Sequence, residues 1–548
     1  MPLRNLLVIL LAAVLSLACY QKSQHNRYAS TVADAMSLIE DFYVEEVDSR
    51  KLFENAMNGM VEGLDQYSAY IGPDAFRRME EDLDQEFGGI GIEVAKLGDD
   101  QPLVVLSPVT GGPAQRAGMR AGDEIHGIDG KTTIGMPRRE AVKLMRGKPG
   151  AEVTLQVKHQ GESQTTELKV AREIIMVNSV RGDVRLPDGS WDYHLRENPR
   201  IGLLRVSNFG QHTAREVKEV LSNPSSASSY DALIIDLRGN SGGLLDAAVE
   251  LCDAFIQSGV IVTTRGRDGE IRSSHSATPD TVIDPQVPIV VLVNGLSASA
   301  SEITAACLQD HQRAVIVGQR TWGKGTVQNV LELEGGRSAL KLTTASYWRP
   351  SGQDIHRGRD AKEEDAWGVS PNPGFVVVVD EQLANALARQ REVDDLDAQL
   401  VGDNPALIKS IMERFNQPPE TENPVPNENP DPNENPDQTA SPDRSQPPRE
   451  TNSPNDANRP EDPDPAPPSP SQLEPEQPGP EEKPKAAATH DPDSGTTDSS
   501  GTTDSGRSKI DSDSNLPPLT RVEDPQLKKA IEYLERQLQQ QDTLSDSI

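Results

Sequence analysis

Two short segments of this chain carry the residues that could do covalent chemistry. The first is the run Ser297–Ile303 (SASASEI), and the second is Thr321–Gln328 (TWGKGTVQ), which contains Lys324. A serine hydroxyl becomes a good nucleophile when a base takes its proton. A lysine amine can act as that base if its environment lowers its pKa from about 10.4 toward neutrality. The apolar strand Ala314–Val317 leads toward the lysine, so a partly buried amine is plausible. The two segments therefore predict the Ser-Lys dyad of a hydrolase.

The residues alone leave three candidate nucleophiles, Ser297, Ser299 and Ser301. All three lie at the start of a predicted helix that follows the strand Ile289–Val293. Free N–H groups at a helix N-terminus favour a developing negative charge, but serine more often serves there as a simple cap. A single lysine is likewise most often a solvated surface charge.

The segments resemble the C-terminal processing (tail-specific) peptidases, serine peptidases of the S41 type that carry a PDZ domain. The resemblance rests on the SASASEI run, on Gln309-Asp310 and on Gly323-Lys324-Gly325, in the family's order, and it extends from about Ala33 to Phe375. It implies no metal and no nucleotide cofactor. It also implies that the protease core is similar to the crotonase and Clp protease folds.

The resemblance assigns roles to individual residues. It implies that Ser299 is the nucleophile, that Lys324 is the general base and that Gln328 orients the lysine amine. It places the oxyanion donors at the N–H of Ala300 and at a glycine of the Gly242-Gly243 turn, with Gly243 the better candidate of the two. Asp310 matches a recurrent acid of the family and is expected to be structural, and no role is assigned to His311 or His356.

The segment between about Glu86 and Ala171 resembles a PDZ domain. It contains the glycine-rich turn Gly88–Val94 (GGIGIEV), then Gly112–Met119 (GPAQRAGM) and Gly122–Ile125 (GDEI). Such a domain captures a peptide as an added strand, and N–H groups of a turn hold its terminal carboxylate. The backbone expected to bind peptide belongs to Gly89, Ile90, Gly91 and Ile92. Taken alone, this glycine-rich turn could equally be a β-bulge with no ligand.

Three places depart from the family pattern. Leu296 stands where many relatives have a small residue, and Trp322 replaces a smaller aromatic residue. The motif Gly63–Tyr70 (GLDQYSAY) has Gln66-Tyr67 where the family more often has Pro-His. The departures at Leu296 and Trp322 concern substrate fit more than activity.

The fold class is α+β multidomain, because helical periodicity, a β-rich segment and alternating βαβ units follow one another along the chain. We predict a signal peptide or anchor at 1–25, a helical segment at 31–85, a PDZ-like domain at 86–171, an α/β protease core at 172–416, a disordered Pro/Asp/Glu/Ser-rich tract at 417–520 and a C-terminal helix at 524–541. The hypothesis for this last helix is that it packs on the protease body. The alternative is an independent helix that binds another chain.

Composition restricts the partners. The formal net charge of −32 argues against nucleic acid, because phosphate binding needs concentrated Lys and Arg. With 3 cysteines there is no disulfide framework, although a bond between Cys252 and Cys307 is left open. No Cys or His cluster has the spacing of metal ligands.

The N-terminus indicates export. The apolar run from Leu6 to Ala18 is shorter than the roughly 20 residues of a spanning helix, which favours a signal peptide. Cys19 follows the run and leaves lipidation open, as does an uncleaved anchor. The expected location is the bacterial periplasm, or the periplasmic side of the membrane.

The sequence therefore predicts an exported serine endopeptidase that recognises free C-termini of proteins or peptides. A membrane tether, a homo-oligomer or an activating partner is left open. The first rival is a non-catalytic peptide-binding scaffold on the same fold, although Ser299, Lys324 and Gln328 are all present. The second rival is a crotonase-like acyl-CoA enzyme, which the PDZ-like insertion argues against.

Overall fold

A computed structural model describes residues 27–186, 189–222, 230–396 and 521–545. The predicted export segment at 1–25 and the Pro-rich tract at 417–520 lie outside these ranges. Within them, no helix is long and apolar enough to cross a membrane.

The N-terminal part is helical, as expected, with one difference. Its elements are α1 (Arg27–Phe42), α2 (Ser49–Glu62), β1 (Ala69–Ile71) and α3 (Pro73–Asp84). Strand β1 interrupts the predicted helical segment because it pairs antiparallel with Ala339–Lys341, far along the chain. Three residues are too few to show the alternation that would have predicted a strand.

A β-rich unit follows and closes around its own apolar core. Its elements are β2 (Glu86–Gly89), β3 (Ile92–Lys96), β4 (Leu103–Pro108), α4 (Pro113–Arg116), β5 (Glu124–Ile128), β6 (Lys131–Thr132), α5 (Arg138–Met145), β7 (Glu152–Lys158) and β8 (Thr166–Ala171). The sheet has the order β3-β4-β5-β7-β8, with β6 paired to β5, so β3 is an edge strand. Its core includes Leu103, Ile125 and Leu155, which are fully buried.

Short antiparallel strands connect this unit to the next. They are β9 (Glu173–Met176), which pairs with β2, then β10 (Val180–Arg181), β11 (Val184–Arg185), β12 (Trp191–Asp192) and β13 (His194–Leu195).

The protease core contains the parallel sheet that the sequence predicts. Its elements are β14 (Asn198–Val206), α6 (Thr213–Ser222), β15 (Ala232–Asp236), α7 (Leu245–Asp253), β16 (Val260–Arg265), β17 (Ile271–Ser276), β18 (Ile289–Val293), α8 (Ala300–Asp310) and β19 (Ala314–Gly318). Strands β14, β15, β18 and β19 are parallel and adjacent in that order. Every residue of β15 and β18 is buried, which explains why both strands are apolar except for Asp236 at the end of β15.

A second sheet lies beside the first. The elements that complete the core are β20 (Thr326–Leu333), β21 (Ser338–Trp348) and α9 (Glu381–Asp394). The second sheet has the order β1-β21-β16-β17, and β20 pairs with β21. Both cysteines of the core, Cys252 and Cys307, are buried free thiols.

The C-terminal helix α10 (Pro525–Ser545) belongs to the protease body. Helices α6 to α8 contribute to the apolar core that includes Leu233, Ile235 and Val291. The alternate residues of β15 and β18 lie on the opposite face of the sheet and pack with Ala530, Leu534 and Leu538 of α10. The helix begins where Asp524 accepts hydrogen bonds from the N–H groups of Gln526 and Leu527.

A buried ion-pair network joins α10 to the carboxyl end of β15. The guanidinium of Arg238 lies 2.8 Å from carboxylate oxygens of both Asp236 and Asp524. Burial alone would raise the pKa of Asp236, but Arg238 and Arg391 hold it well below its usual range. The network therefore fixes the helix beside the turn that follows β15.

Candidate active site

The structure distinguishes the three candidate serines by their hydrogen bonds. The hydroxyl of Ser297 donates to the carbonyl of Leu237, and that of Ser301 donates to the carbonyl of Asn240. Both serines are fully buried and serve the fold. Ser299 is the remaining candidate, and its role as the nucleophile stays a prediction.

Ser299 is the N-cap residue of α8 and has an unusual backbone. Its φ is 56° and its ψ is −114°, a region that non-glycine residues rarely adopt. Such strain costs on the order of 1–3 kcal/mol and persists where the surroundings fix it, commonly at functional sites. The side chain is 6% exposed.

The turn after β15 lies directly against Ser299. A β-carbon placed on Gly242 would be 2.8 Å from Cβ of Ser299 and 3.0 Å from the nitrogen of Ala300. One placed on Gly243 would be 2.2 Å from the carbonyl oxygen of Phe209. Both glycines have positive φ, at 106° and 147°. Close approach and backbone conformation together require glycine at these positions.

Two N–H groups near Ser299 are available as donors. Within the described ranges, the N–H of Ala300 and the N–H of Gly243 make no hydrogen bond. By contrast, the N–H of Gly242 donates to the side-chain oxygen of Asn240 at 2.8 Å. Of the two glycines, Gly243 therefore has the available N–H group.

Glu302 links the serine segment to the lysine segment. Its Oε2 accepts hydrogen bonds from the backbone N–H groups of Ser299 and Lys324, and its Oε1 accepts from the N–H of Gly323 and the hydroxyl of Thr321. The residue is fully buried in the first turn of α8. Burial raises the pKa of Glu302 to about 7, while these four hydrogen bonds oppose the rise.

Close packing explains the glycines that flank Lys324. A β-carbon on Gly323 would be 2.7 Å from Cβ of Arg357, and one on Gly325 would be 2.1 Å from the nitrogen of His356. The lysine segment therefore runs in contact with the chain near Arg357. The half-buried Lys324 amine lies 5.4 Å from the ring centroid of Tyr67, a cation–π contact with the N-terminal part of the chain.

Gln328 lies in β20, which begins after the lysine, at Thr326. Its side-chain nitrogen donates to the hydroxyls of Thr326 at 2.8 Å and Thr343 at 3.3 Å. A register shift in the β20–β21 pairing occurs between Val327 and Gln328. Its role in orienting the Lys324 amine stays a prediction.

Tyr347 of β21 is a further neighbour of Ser299. Burial, with a smaller effect of Asp246, raises the pKa of Tyr347 to about 12, and a hydrogen bond with the Ser299 side chain opposes this. Its backbone N–H also donates to the carbonyl of Gly325, beside the lysine. The ring therefore contacts the serine while its backbone supports the lysine segment.

Asp310 and the histidines lie outside this cluster or make other contacts. Asp310 ends α8 in an ion pair with Arg349, 2.6 Å between the closest atoms. His311 contacts the carbonyl oxygen of Val260, and the His356 ring lies 6.4 Å from the Tyr67 ring. The described residues bring together no group of His, Cys, Asp or Glu that could hold a metal ion.

The β-rich unit has a groove where the sequence predicts peptide binding. A cavity of about 360 Å³ lies between the turn Gly89–Ile92 and α5, lined also by Leu106, Val142 and Met145. Within the described part of the chain, the N–H groups of Ile90 and Gly91 make no hydrogen bond. The groove lies beside the edge strand β3, where an added strand could pair.

A larger cleft continues from this groove toward the protease core. Its volume is about 820 Å³, and it shares Phe87, Ile92 and Arg146 with the groove. It is also lined by Ser207 and Asn208, which precede Phe209, the residue that pairs with Gly243. The cleft is thus lined both by residues of the groove and by the two residues before Phe209.

Comparison with known proteins identifies the family. Residues 200–371 match the model of peptidase family S41, residues 81–158 match the PDZ domain and residues 13–75 match the N-terminal domain of the activating protease CtpB. A carboxy-terminal-processing protease of Bartonella bacilliformis is 39% identical over 338 residues, which cover 61% of this chain and 74% of that protein. The chain belongs to peptidase family S41.

A second curated relative agrees with this membership, and a solved structure is also similar to the chain. A CtpA-like serine protease of Staphylococcus haemolyticus is 33% identical over 382 residues, 69% of each chain. A solved structure titled photosystem II D1 C-terminal processing protease is 29% identical and covers 63% of this chain and 92% of that one, with a TM-score of 0.34. The two family-model matches and the two curated relatives make this S41 chain a serine-type peptidase with a PDZ domain.

Sequence reasoning missed three residues at the candidate site of this S41 peptidase. Tyr347 gave no local signal, because it reaches the site from a distant part of the chain. Tyr67 was noted in the sequence only as a departure from the family motif, with no contact to the lysine foreseen. Glu302 did have one, since Ser299 and Glu302 have the S-x-x-E spacing of a capping box. The structure contains one hydrogen bond of that capping box, donated by the backbone N–H of Ser299 to the carboxylate of Glu302.

Proposed function

We propose that this S41 peptidase cleaves proteins through Ser299 and Lys324 after its PDZ domain has bound their free C-terminus. The observation that carries the proposal is the environment of Ser299. Of the three serines in the run, it is the one at a strained helix N-cap beside two available N–H donors, those of Ala300 and Gly243.

In the proposed reaction, the Lys324 amine takes the proton of the Ser299 hydroxyl as its oxygen attacks the peptide carbonyl. The carbonyl oxygen becomes an oxyanion, to which Ala300 and Gly243 donate hydrogen bonds. Collapse breaks the C–N bond, and the lysine ammonium returns its proton to the leaving amine. Water then attacks the acyl ester, again with the lysine as base, and releases the second product.

The remaining neighbours would hold these groups in place. Glu302 fixes the backbone of both Ser299 and Lys324, so that the distance between the two segments is set by one buried carboxylate. Gln328 would orient the lysine amine. The Tyr347 phenol, with its raised pKa, stays protonated at neutral pH beside the serine.

The PDZ groove would select the substrate end. A terminal carboxylate fits the N–H groups of Ile90 and Gly91, and an apolar final side chain fits the lining formed by Leu106, Val142 and Met145. The upstream chain would follow the cleft that leads past Asn208 toward Gly243. Export to the periplasm, with a membrane tether or an activating partner, belongs to the same proposal and rests on the N-terminal sequence.

The experiment compares an unfolded protein that has a free C-terminus with the same protein amidated there. We expect the free form to be cleaved at least about tenfold faster at low substrate concentration, because amidation removes the charge that the turn binds. Equal cleavage of the two forms would contradict the role of the PDZ domain. The catalytic roles of Ser299 and Lys324 would be tested separately, by the variants described below.

A further inference from the structure

The turn Asp65–Ser68, which precedes β1, is joined to β21 by its side chains. The Asp65 carboxylate accepts hydrogen bonds from the N–H groups of Tyr67 and Ser68 and from the Ser68 hydroxyl. The same carboxylate accepts from the hydroxyl of Thr343 at 3.1 Å, and the N–H of Thr343 donates to the Ser68 hydroxyl, also at 3.1 Å. The turn is therefore fixed on Thr343.

The charge of Asp65 sets the direction of the next hydrogen bond. Burial alone would raise the pKa of Asp65, but hydrogen bonds from Ser68, Tyr67 and Thr343 together hold it below its usual range. An ionised carboxylate can only accept, so the Thr343 hydroxyl must donate its proton to Asp65. The Thr343 oxygen is then an acceptor for its other neighbour, the side-chain amide of Gln328.

This direction determines which way the Gln328 amide faces. Its NH₂ group must point to the hydroxyl oxygens of Thr343 and Thr326, which occupy its two N–H donors. The carbonyl oxygen of Gln328 is left as the acceptor on the other side. An acceptor is the group that a lysine amine or ammonium needs, since both donate.

The same turn also contacts Lys324. The Tyr67 ring lies 5.4 Å from the lysine amine, and the Tyr67 hydroxyl accepts a hydrogen bond from the Trp322 indole at 3.4 Å. Lys324 and Gln328 thus both reach one four-residue turn, the first through Tyr67 and the second through Thr343. The Asp65–Ser68 turn is therefore linked to both side chains.

We propose that Thr343 is a positioning residue for Gln328, and that the Asp65–Ser68 turn holds the Gln328 amide and the Lys324 amine in their working arrangement. The proposal rests on the function given above, in which Lys324 is the general base and Gln328 orients it. It makes the N-terminal part of the chain a component of the active site. The competing explanation is that the turn only anchors β1 to β21.

The test uses two substitutions at Thr343. Thr343→Val keeps the branched shape and removes the hydroxyl, whereas Thr343→Ser keeps the hydroxyl. We expect kcat of Thr343→Val to fall about tenfold or more with KM changed less than about twofold, because the base is misplaced but substrate binding is not. Thr343→Ser should keep at least about half of the wild-type kcat.

Each other outcome decides against the proposal. If Thr343→Val is as active as wild type, or if Thr343→Ser loses as much kcat as Thr343→Val, Thr343 acts through the fold alone. Ser299→Ala is measured beside them: if it stays active, the proposed function itself fails, whatever the Thr343 variants do. The two failures are therefore distinguishable.

A second pair of variants covers the case in which Thr343→Val does not fold, as judged by its thermal unfolding. Tyr67→Phe keeps the ring over Lys324, and Tyr67→Leu removes it. We expect Tyr67→Phe to stay within about threefold of wild-type kcat and Tyr67→Leu to lose about tenfold. Equal activity of the two variants would overturn the positioning role of the turn.

Discussion

Ser299 and Lys324 are held through a single atom, because Oε2 of Glu302 accepts the backbone N–H of each residue at 2.8 Å. The two proposed reacting residues lie on different elements, one at the start of α8 and one in the segment before β20. The buried carboxylate between them sets how these elements meet. Several expected effects of substitution depend on this contact.

Replacing Glu302 should disable the enzyme without removing a reacting group. Glu302→Gln puts an NH₂ group where an oxygen accepts N–H donors, so two donors are brought face to face in a buried site. We expect kcat to fall at least about tenfold in an assay on a protein substrate with a free C-terminus. The control is Glu332→Gln, an exposed glutamate of β20, which should behave as wild type. Equal activity of the two variants would rule out a positioning role for Glu302.

The titration of Glu302 should appear in the pH dependence of stability. Its pKa of about 7 in the folded protein is above the usual value of 4.5, so between these pH values the folded state binds more protons than the unfolded chain. The free energy of unfolding of the wild type should therefore fall as pH rises through this window, relative to Glu302→Gln. Denaturant unfolding of both proteins at several pH values measures the difference. A difference that does not change with pH would mean that the hydrogen bonds keep Glu302 ionised throughout.

The glycine turn offers a matched pair of substitutions. Gly242→Ala would bring a methyl group 2.8 Å from Cβ of Ser299, whereas Gly239→Ala, in the same turn and also at positive φ, meets no atom within 4 Å. Gly239→Ala should lose about 1 kcal/mol of stability to backbone strain, and Gly242→Ala should lose more, because its β-carbon would also lie 2.7 Å from the carbonyl oxygen of Ala298. We expect Gly242→Ala to lose kcat about a hundredfold or more and Gly239→Ala to retain most of it. Similar losses in both would show that strain, and not the approach to Ser299, governs activity.

The C-terminal helix should be required for the stability of the protease body. Leu534 is fully buried against the parallel sheet, while Leu544 on the same helix is 64% exposed. Leu534→Ala should lower the free energy of unfolding by roughly 2–5 kcal/mol, and Leu544→Ala by less than about 0.5 kcal/mol. Urea denaturation of the full chain measures both. A small effect of Leu534→Ala would mean that the helix adds little to the core.

Local sequence patterns predicted much of the fold but few of the contacts that fix the residues of the candidate active site. The buried strand β18 was evident as the apolar run Ile289–Val293, and the helix that carries the three serines was predicted directly after it. The choice of Ser299 needed the family resemblance. The backbone carbonyl groups that accept hydrogen bonds from Ser297 and Ser301 belong to the segment after β15, which is distant in the sequence. Sequence could not show that Ser297 bonds to Leu237, 60 residues away.

Long-range contacts account for what the sequence could not give. The hydrogen bond between Asp65 and Thr343 joins residues 278 positions apart, and no periodicity or spacing encodes such a pair. Glu302 is different, because its capping-box spacing from Ser299 was visible in the sequence. What could not be foreseen is that its carboxylate would also accept the N–H of Lys324, 22 residues later.

The central claim is that Ser299, with Lys324 as its base, breaks the peptide bond. The most direct measurement is the cleavage rate of an unfolded protein with a free C-terminus by wild type, Ser299→Ala and Lys324→Ala at equal concentration. We predict that both variants fold as wild type does and cleave at least about a thousandfold more slowly. Cleavage by folded Ser299→Ala at the wild-type rate would contradict the account.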